Sequence, residues 1–352
     1  MSEKHDFSKA LIMWYLIHKR DLPWRKSHDP FRIWLSEIIL QQTRISQGTA
    51  YYEKFIAEFD DIRALANADE TRVLKLWQGL GYYSRARNLH FTAKQVANEM
   101  NGRFPETFEG LLKLKGVGDY TASAIASIAY NLPHATVDGN VYRVMSRFFG
   151  ITSPIDSSKG SKEFKSLAQE LLDKDQPGTH NQAVMELGAL ICTPKKPACQ
   201  ECPLKNNCFA FLQGRMQEFP VKQGKIVTRK RHFNYLVLNS ANSFTKIRQR
   251  QGKDIWKHLF EFPFLETEET ELKSEAIESL VREELNLYTK YELNKFNTTP
   301  VIHKLSHQEL HANFWIVETD EILDGSTSWD ELQNHALPVL LQNFVDKYRG
   351  GL

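Results

Sequence analysis

Leu114-Lys115-Gly116-Val117-Gly118-Asp119-Tyr120-Thr121-Ala122 lies between two helical patterns, Phe108–Leu114 and Tyr120–Tyr130, and reads as a tight hairpin between helices. Two glycines let the backbone come close to a ligand, and the N-terminus of the second helix aims N–H groups outward. Such a turn can hold a phosphate without reading a base. A Gly-x-Gly alone is more often a plain helix connection. Here it stands upstream of Val137-Asp138-Gly139-Asn140-Val141 and of a cysteine loop, a combination that chance seldom produces.

Outward from the hairpin the texture stays helical from the start to about Phe219. Asp29-Pro30 supplies a cap and a first-turn proline for a helix over Phe31–Gln42. Asp69 is expected to cap Glu70–Trp77, which stops at Gly79-Leu80-Gly81. Ser84–Met100, Val141–Phe149, Lys162–Leu172 and Asn181–Ile191 complete the helical set. Gln217–Thr228 is polar, contains Pro220 and Gly224, and reads as a linker. Beyond it, His232–Asn239, Phe244–Arg250, Leu259–Phe264 and Ala312–Glu318 read as strands, and Glu271–Leu285 and Pro338–Tyr348 as helices. The expected fold class is α + α/β: an all-helical module followed by a small α/β module.

The chain has 352 residues, 41% hydrophobic and 25% charged, which suits two or three globular domains. The longest apolar stretches fall short of a membrane span; Ile33–Leu40 is already broken by Ser36 and Glu37. The N-terminus has no basic-then-apolar signal pattern, so a cytoplasmic location is expected. The net charge of +2 hides an asymmetry. Residues 1–230 hold 32 Lys and Arg against 24 Asp and Glu, and residues 231–352 hold 13 against 19. The basic part suits a phosphate-rich partner; the acidic part is no electrostatic clamp for one.

All four cysteines, Cys192, Cys199, Cys202 and Cys208, fall in one C-x6-C-x2-C-x5-C loop. Zinc ribbons use two C-x2-C knuckles and only one is present, so a four-thiolate iron–sulfur site is favoured, with zinc still open. Lys195 and Lys196 lie in the first inter-cysteine loop, where they can meet phosphates.

The hairpin, Asp138 and the cysteine loop together resemble the helix-hairpin-helix DNA glycosylase superfamily, in its endonuclease III branch. Within it, Leu22-Pro23-Trp24-Arg25, Ser36-Glu37-Ile38-Ile39-Leu40-Gln41-Gln42-Thr43 and Gly79-Leu80-Gly81-Tyr82-Tyr83-Ser84-Arg85-Ala86-Arg87 resemble the MutY-type adenine DNA glycosylases over nearly the whole chain. The resemblance implies a helical catalytic region over 1–225. This comprises a six-helix module with the hairpin, and a cluster subdomain formed by the N-terminal helix and about 140–225. It also implies a Nudix-like 8-oxoguanine recognition domain over 231–352 and a [4Fe–4S] cluster on the four cysteines. The implied partner is double-stranded DNA carrying adenine opposite 8-oxoguanine or guanine, engaged by a bacterial, nucleoid-associated monomer.

Cleaving an N-glycosidic bond needs an acid for the leaving purine and a negative charge beside the sugar cation. Glu37 stands on an apolar helix, where burial raises a carboxyl pKa. The resemblance makes Glu37 the acid that protonates adenine N7 and later activates water. It makes Asp138 the group that stabilises the oxocarbenium ion or adds to it, with Asn140 supporting water and sugar. Endonuclease III-like enzymes carry a Schiff-base lysine at the position of Tyr120, so base removal without strand cleavage is expected. Trp24, Arg25, Leu40, Gln182, Met185 and Glu186 map to the adenine pocket. Gln42 and Tyr82 map to the residues that fill the vacated stack, and Thr43, Leu80, Gly116 and Gly118 to further DNA contacts. Leu305-Ser306-His307 replaces the family's Phe-Ser-His lesion-reading loop, so the hydrogen-bonding residues are kept and the aromatic is lost.

Other readings stay in view. Thymine–guanine mismatch glycosylases of the same superfamily can also carry tyrosine at position 120, and a non-catalytic cluster-bearing DNA-binding protein would share the hairpin and cysteines. The C-terminal domain argues against the first, and Glu37 with Asp138 against the second. Arg282-Glu283-Glu284-Leu285 resembles part of a Nudix hydrolase box but lacks its second glutamate pair and glycines, so magnesium-dependent hydrolysis is not expected. His303, His307 and His311 recur every four residues, but in a loop-and-strand context that does not make a ligand ladder.

Overall fold

Asp29 accepts a hydrogen bond from the Phe31 N–H at 3.0 Å and Pro30 takes the first turn, so a helix starts where the sequence places both a cap and a preset φ. The computed structural model describes residues 2–224, 228–240, 243–268, 272 and 274–350. Its α-helices are α1 (Ser2–His18), α2 (Pro30–Leu40), α3 (Ile45–Glu58), α4 (Ile62–Asn67), α5 (Glu70–Trp77), α6 (Ser84–Glu99), α7 (Phe108–Leu112), α8 (Asp119–Tyr130), α9 (Gly139–Phe149), α10 (Ser158–Leu171), α11 (Pro177–Leu190), α12 (Phe209–Leu212), α13 (Ser274–Leu280) and α14 (Val339–Gly350). The strands are β1 (Arg229–Ser240), β2 (Phe244–Thr245), β3 (Arg248–Gln249), β4 (Phe260–Glu261), β5 (Phe264–Thr267), β6 (Glu292–Lys295), β7 (Val301–Lys304), β8 (Gln308–Thr319) and β9 (Thr327–Ser328). Among the described residues no helix is long and apolar enough to cross a membrane. The chain divides into two compact units, Met1–Ala68 with Asn88–Gly224, and Asp69–Arg87 with Lys225–Leu352.

The first unit is all-helical. In α1, Phe7, Leu11, Trp14 and Tyr15 recur at helical spacing and meet Val144 and Phe148 of α9, Phe164 of α10 and Val184 and Leu187 of α11. A second packed region sets α2 between α3 and α8. Trp34, Leu35, Ile38 and Ile39 are buried there, as are Ala122, Ala124 and Ala126, whose small side chains let helices approach closely.

The second unit is built on a mixed sheet in the order β6-β8-β1-β2-β9, with β5 also on β1 and β7 on β8. β1 and β8 run parallel from Arg229↔Gln308 to Ser240↔Thr319, and the other pairings are antiparallel. Leu236, Leu238 and Val317 pack with Ile277 and Leu280 of α13 on one face. On the other, Tyr235 stacks on Phe314 and Phe314 on Phe344 of α14, with ring centroids 5.4 and 4.0 Å apart. Both faces are covered, which is why Tyr235–Leu238 of β1 is a continuous apolar run. Residues 69–87 belong to this unit. Lys75 Nζ donates to the His335 carbonyl (3.1 Å), Gln78 Nε2 to Gln342 Oε1 (2.6 Å) and Arg87 Nη1 to the Lys257 carbonyl (2.8 Å).

The expected α + α/β order is present, and several elements differ in detail. Phe244–Arg250 is not one strand: β2 joins the main sheet and β3 pairs with β4 in a separate two-stranded ladder. Leu259–Phe264 also divides, because Pro263 has no N–H to continue a ladder. Glu271–Leu285 becomes α13 followed by a π-helical turn, Val281–Leu285, and Glu271 lies outside the described residues. Asp69 stands at the N-cap of α5 without making a side-chain cap. The linker reading of Gln217–Thr228 fits its first part poorly. The Ile155 N–H donates to the Val221 carbonyl, and Asp156 accepts from the N–H groups of Gln223 and Gly224. Its residues 225–227 lie outside the described residues.

Candidate active site

Glu37 lies one turn before the end of α2 and is only 9% exposed. It faces a cavity of about 200 Å3 whose walls include Trp24, Arg25, Leu40 and Thr43 from the N-terminal part. Tyr120 of α8, Asp138 and Asn140 at the start of α9, and Gln182, Met185 and Glu186 of α11 close it. The four residues expected to carry chemistry and the six expected to line a base pocket therefore share one cavity. An adjoining opening brings Gln42 beside Glu37, Tyr120 and Asp138.

The two carboxyl groups sit in different surroundings. Burial pushes Glu37 up to about 7; its hydrogen bond to the Tyr120 hydroxyl opposes that rise, the Asp138 charge adds to it, and Arg25 opposes it weakly. Asp138 is raised by burial too, but three donors favour its ionised form. It caps α9, accepting from the N–H groups of Val141 (2.8 Å) and Asn140 (2.9 Å) and from Asn140 Nδ2 (2.8 Å). A proton held near neutrality therefore has a seat on Glu37, while Asp138 is built to carry charge. The Tyr120 hydroxyl also lies 3.2 Å from Met185 Sδ and is pushed far above the usual phenol range by burial. It is a hydrogen-bonding wall, not a nucleophile.

Glu186 is 1% exposed and wholly engaged. Arg20 grips it through its backbone N–H and guanidinium (2.6–2.9 Å), and Arg25 through two further bonds (3.0 and 2.8 Å). Burial raises its pKa, but these bonds outweigh burial and hold it at about 2. Within the cavity wall it thus serves to fix Arg25. Tyr15 adds a cation–π face to Arg25 (5.3 Å) and donates to Gln182 Oε1 (3.0 Å). Sequence reasoning missed Arg20 and Tyr15. Arg20 stands just before the Leu22–Arg25 motif, but nothing in its spacing links it to position 186.

The hairpin has the expected form. Gly116 adopts φ +80°, and a Cβ there would lie 2.9 Å from Asn88 Cβ, so both torsion and space require glycine. Gly118 has extended backbone, is the N-cap of α8 and has no atom within 4 Å of where a Cβ would stand. That open side is what a phosphate approach needs. Thr92 Oγ1 donates to the Lys115 carbonyl (2.7 Å), tying the turn to α6. Gln42 is exposed at φ +56°, Thr43 is half-buried, and Lys195 and Lys196 are exposed.

Within the second unit, Leu305-Ser306-His307 forms the turn from β7 to β8, closed by the Leu305 N–H to the Gln308 carbonyl (2.7 Å). The Ser306 and Tyr82 hydroxyls hydrogen-bond each other across a cleft of about 640 Å3. Tyr82 is exposed at φ +47°, whereas Leu80 is 8% exposed, part of the cleft wall more than a free tip. His303 and His311 lie on β7 and β8. In the partial hydrolase box, Glu283 accepts from Ser279 Oγ (2.9 Å) and Glu284 is paired with Arg248.

Cys192, Cys202 and Cys208 pack against the apolar core of α1, α9, α10 and α11. Burial pushes the Cys202 thiol up to about 12, and the other three thiols push the same way. Four thiols this close oppose one another's ionisation unless a positively charged core ligates them, so the donor set fits an iron–sulfur cluster. Arg147, buried on α9, holds the loop, donating to the carbonyls of Thr193 (2.8 Å), Pro194 (3.0 Å) and Met216 (2.9 Å) and to Cys192 Sγ (3.4 Å). Arg147→Met takes away the one buried donor that these partly exposed acceptors share. It is expected to cost about 2 kcal/mol or more and to lose the cluster's visible absorbance at lower urea; an unchanged midpoint would count against this role.

Residues 35–174 match the HhH-GPD superfamily base excision DNA repair protein, residues 192–208 the iron-sulfur binding domain of endonuclease III, and residues 234–347 the NUDIX domain. The adenine DNA glycosylase of Buchnera aphidicola subsp. Acyrthosiphon pisum is 34% identical over 98% of this chain and 98% of its own. That of Buchnera aphidicola subsp. Schizaphis graminum is 35% identical over 87% of this chain and 85% of its own. Among solved structures, a thermostable thymine-DNA glycosylase aligns with a TM-score of 0.56 at 29% identity, covering 60% of this chain and 98% of that one. Relatedness over nearly the full length of both chains settles what the buried carboxyls, hairpin and cysteine loop suggest. This chain belongs to the adenine DNA glycosylase family, as a DNA-binding base excision repair hydrolase of N-glycosyl bonds that carries a [4Fe–4S] cluster.

Proposed function

We propose that the enzyme removes adenine paired with 8-oxoguanine, and less efficiently adenine paired with guanine, as a monomer working on cytoplasmic bacterial DNA. The carrying observation is the pairing of Glu37, held near pKa 7, with an Asp138 that accepts three hydrogen bonds, on one cavity of about 200 Å3. Adenine enters that cavity flipped from the duplex, at a cost of a few kcal/mol in lost stacking. Glu37 gives its proton to N7 as the glycosidic bond lengthens, and Asp138 faces the positive charge that grows on the sugar. Glu37, now a carboxylate, takes a proton from the attacking water, with Asn140 helping to place water and sugar.

Gln42 and Tyr82 fill the space the base leaves, and Thr43 and Leu80 make further DNA contacts. Gly116, Gly118, Lys195 and Lys196 meet phosphates. Residues 231–352 form the lesion-reading domain, with residues 1–225 as the catalytic region. Ser306 and His307 hydrogen-bond 8-oxoguanine, and Leu305 supplies apolar contact where the family uses an aromatic. The likeness to a thymine-DNA glycosylase makes thymine opposite guanine the second reading; its alignment covers only 60% of this chain.

Single-turnover excision on duplexes differing only in A:8-oxoguanine, A:G, T:G and A:T tests both. The expected order is A:8-oxoguanine first and A:G about tenfold or more slower, with no measurable product from T:G or A:T. Faster release of thymine would overturn it. With Tyr120 in place of a lysine, borohydride should trap no stoichiometric protein–DNA adduct.

A further inference from the structure

Lys165, in the middle of α10, lines an open cleft of about 860 Å3 whose wall also includes Tyr120 and Val137. Its ammonium donates to Asp119 Oδ1 (2.5 Å), Ser123 Oγ (3.0 Å) and the Ala135 carbonyl (2.7 Å). An ammonium has three N–H donors, and here each has an acceptor on a different residue. Asp119 and Ser123 bracket Tyr120 on the first turn of α8. Ala135 lies three residues before Asp138 on the segment that leads into α9. We propose that Lys165 is a positioning residue for base excision, locking the Tyr120-bearing turn of α8 to the segment that carries Asp138.

A half-exposed lysine–aspartate pair alone contributes little. What sets Lys165 apart is its reach, from one helix to two separate segments that each bear a group facing the excision cavity. Phe108 lies under the ammonium at 5.9 Å and stacks on His134, next to Ala135, so the same locus is also braced from α7. The chain-specific consequence runs through Glu37 and rests on the reading of Glu37 as the acid. Glu37 is faced by Tyr120 from α8, by Asp138 and by Arg25, which is itself held by Glu186 of α11. The Tyr120 hydrogen bond holds the Glu37 carboxyl down, so a loosened Tyr120 lets it climb and keeps Glu37 protonated to higher pH.

The experiment measures single-turnover adenine excision against pH for the full-length, cluster-loaded wild type, Lys165→Met and Lys165→Arg, with active sites titrated so that unfolded protein does not register. For Lys165→Met the plateau rate should fall about fivefold and the alkaline limb should move up by about half a pH unit. Lys165→Arg should recover part of both. Should Lys165→Met not fold, Ser123→Ala removes one acceptor and should move both quantities in the same sense by less. A rate per active site and a limb that coincide with wild type overturn the proposal. A wild-type profile with no alkaline limb near neutrality defeats the Glu37 reading instead, and the plateau rate still decides Lys165.

Discussion

Glu37→Gln is expected to lower single-turnover excision of adenine by about a thousandfold or more while leaving duplex binding nearly unchanged. Gln keeps the shape of the side chain and a partner for the Tyr120 hydroxyl, but it has no proton to give to N7 and no carboxylate to activate water. In the wild type, excision should decline as pH rises through about 7, where Glu37 gives up its proton, and this limb should be absent from the residual activity of the variant. The substitution should move stability the other way from activity. The folded-state pKa of Glu37 is raised from 4.5 to about 7, so its stabilising contribution is complete below 4.5 and is lost as pH rises through 7. Above that range the wild type keeps an ionised buried carboxylate that Gln avoids. At pH 8 the variant should therefore unfold at higher urea than the wild type, by at most about 3 kcal/mol. Near-normal turnover would sink the assignment, however the stability moved.

Asp138→Asn should be nearly as damaging to chemistry, by about two to three orders of magnitude, and mild in stability, at about 1 kcal/mol for the lost bond from Asn140 Nδ2. Asp138 caps α9 by accepting from two backbone N–H groups, and the Oδ1 of Asn can accept from the same two. The cap survives; the negative charge proposed to face the sugar cation does not. Asp138→Ala separates the two roles, adding about 1 kcal/mol of lost capping to the same loss of rate. Thermal unfolding of the three proteins beside single-turnover rates checks this, and a large fall in melting temperature for the Asn variant would recast Asp138 as a structural cap.

The excision cavity was legible where local chemistry and chain position coincide. Glu37 stands out because a carboxylate interrupts an apolar helix, and Asp138 because it precedes Gly139-Asn140 at a helix start. Gly116 and Gly118 announce a turn that few other residues could make. Arg20, Tyr15 and Lys165 were not legible, since each acts on a partner far away in the chain. The helix α3 passed unread because it buries only Gly48, Tyr52 and Phe55, too few to mark an apolar stripe. Strands β6 and β7 hide for a related reason: their side chains are mostly exposed, so no alternation betrays them. The break at Lys246-Ile247 depends on which sheet each flanking strand joins, which local propensity does not encode, whereas the break at Pro263 follows from a residue without an N–H.

The assignment of residues 69–87 to the same compact unit as the C-terminal sheet bears on inheritance. Lys75, Gln78, Tyr83 and Arg87 find partners in His335, Gln342, Leu337 and Lys257, so an early stretch of the chain depends on a late one. A chain ending near residue 224 would not be a clean excision module; it would leave a helix and loop inside its sequence that had lost their scaffold. Recombination that exchanged the C-terminal third would have to carry matching changes in 69–87. The two stretches are expected to evolve as one heritable piece, although the gene writes residues 88–224 between them.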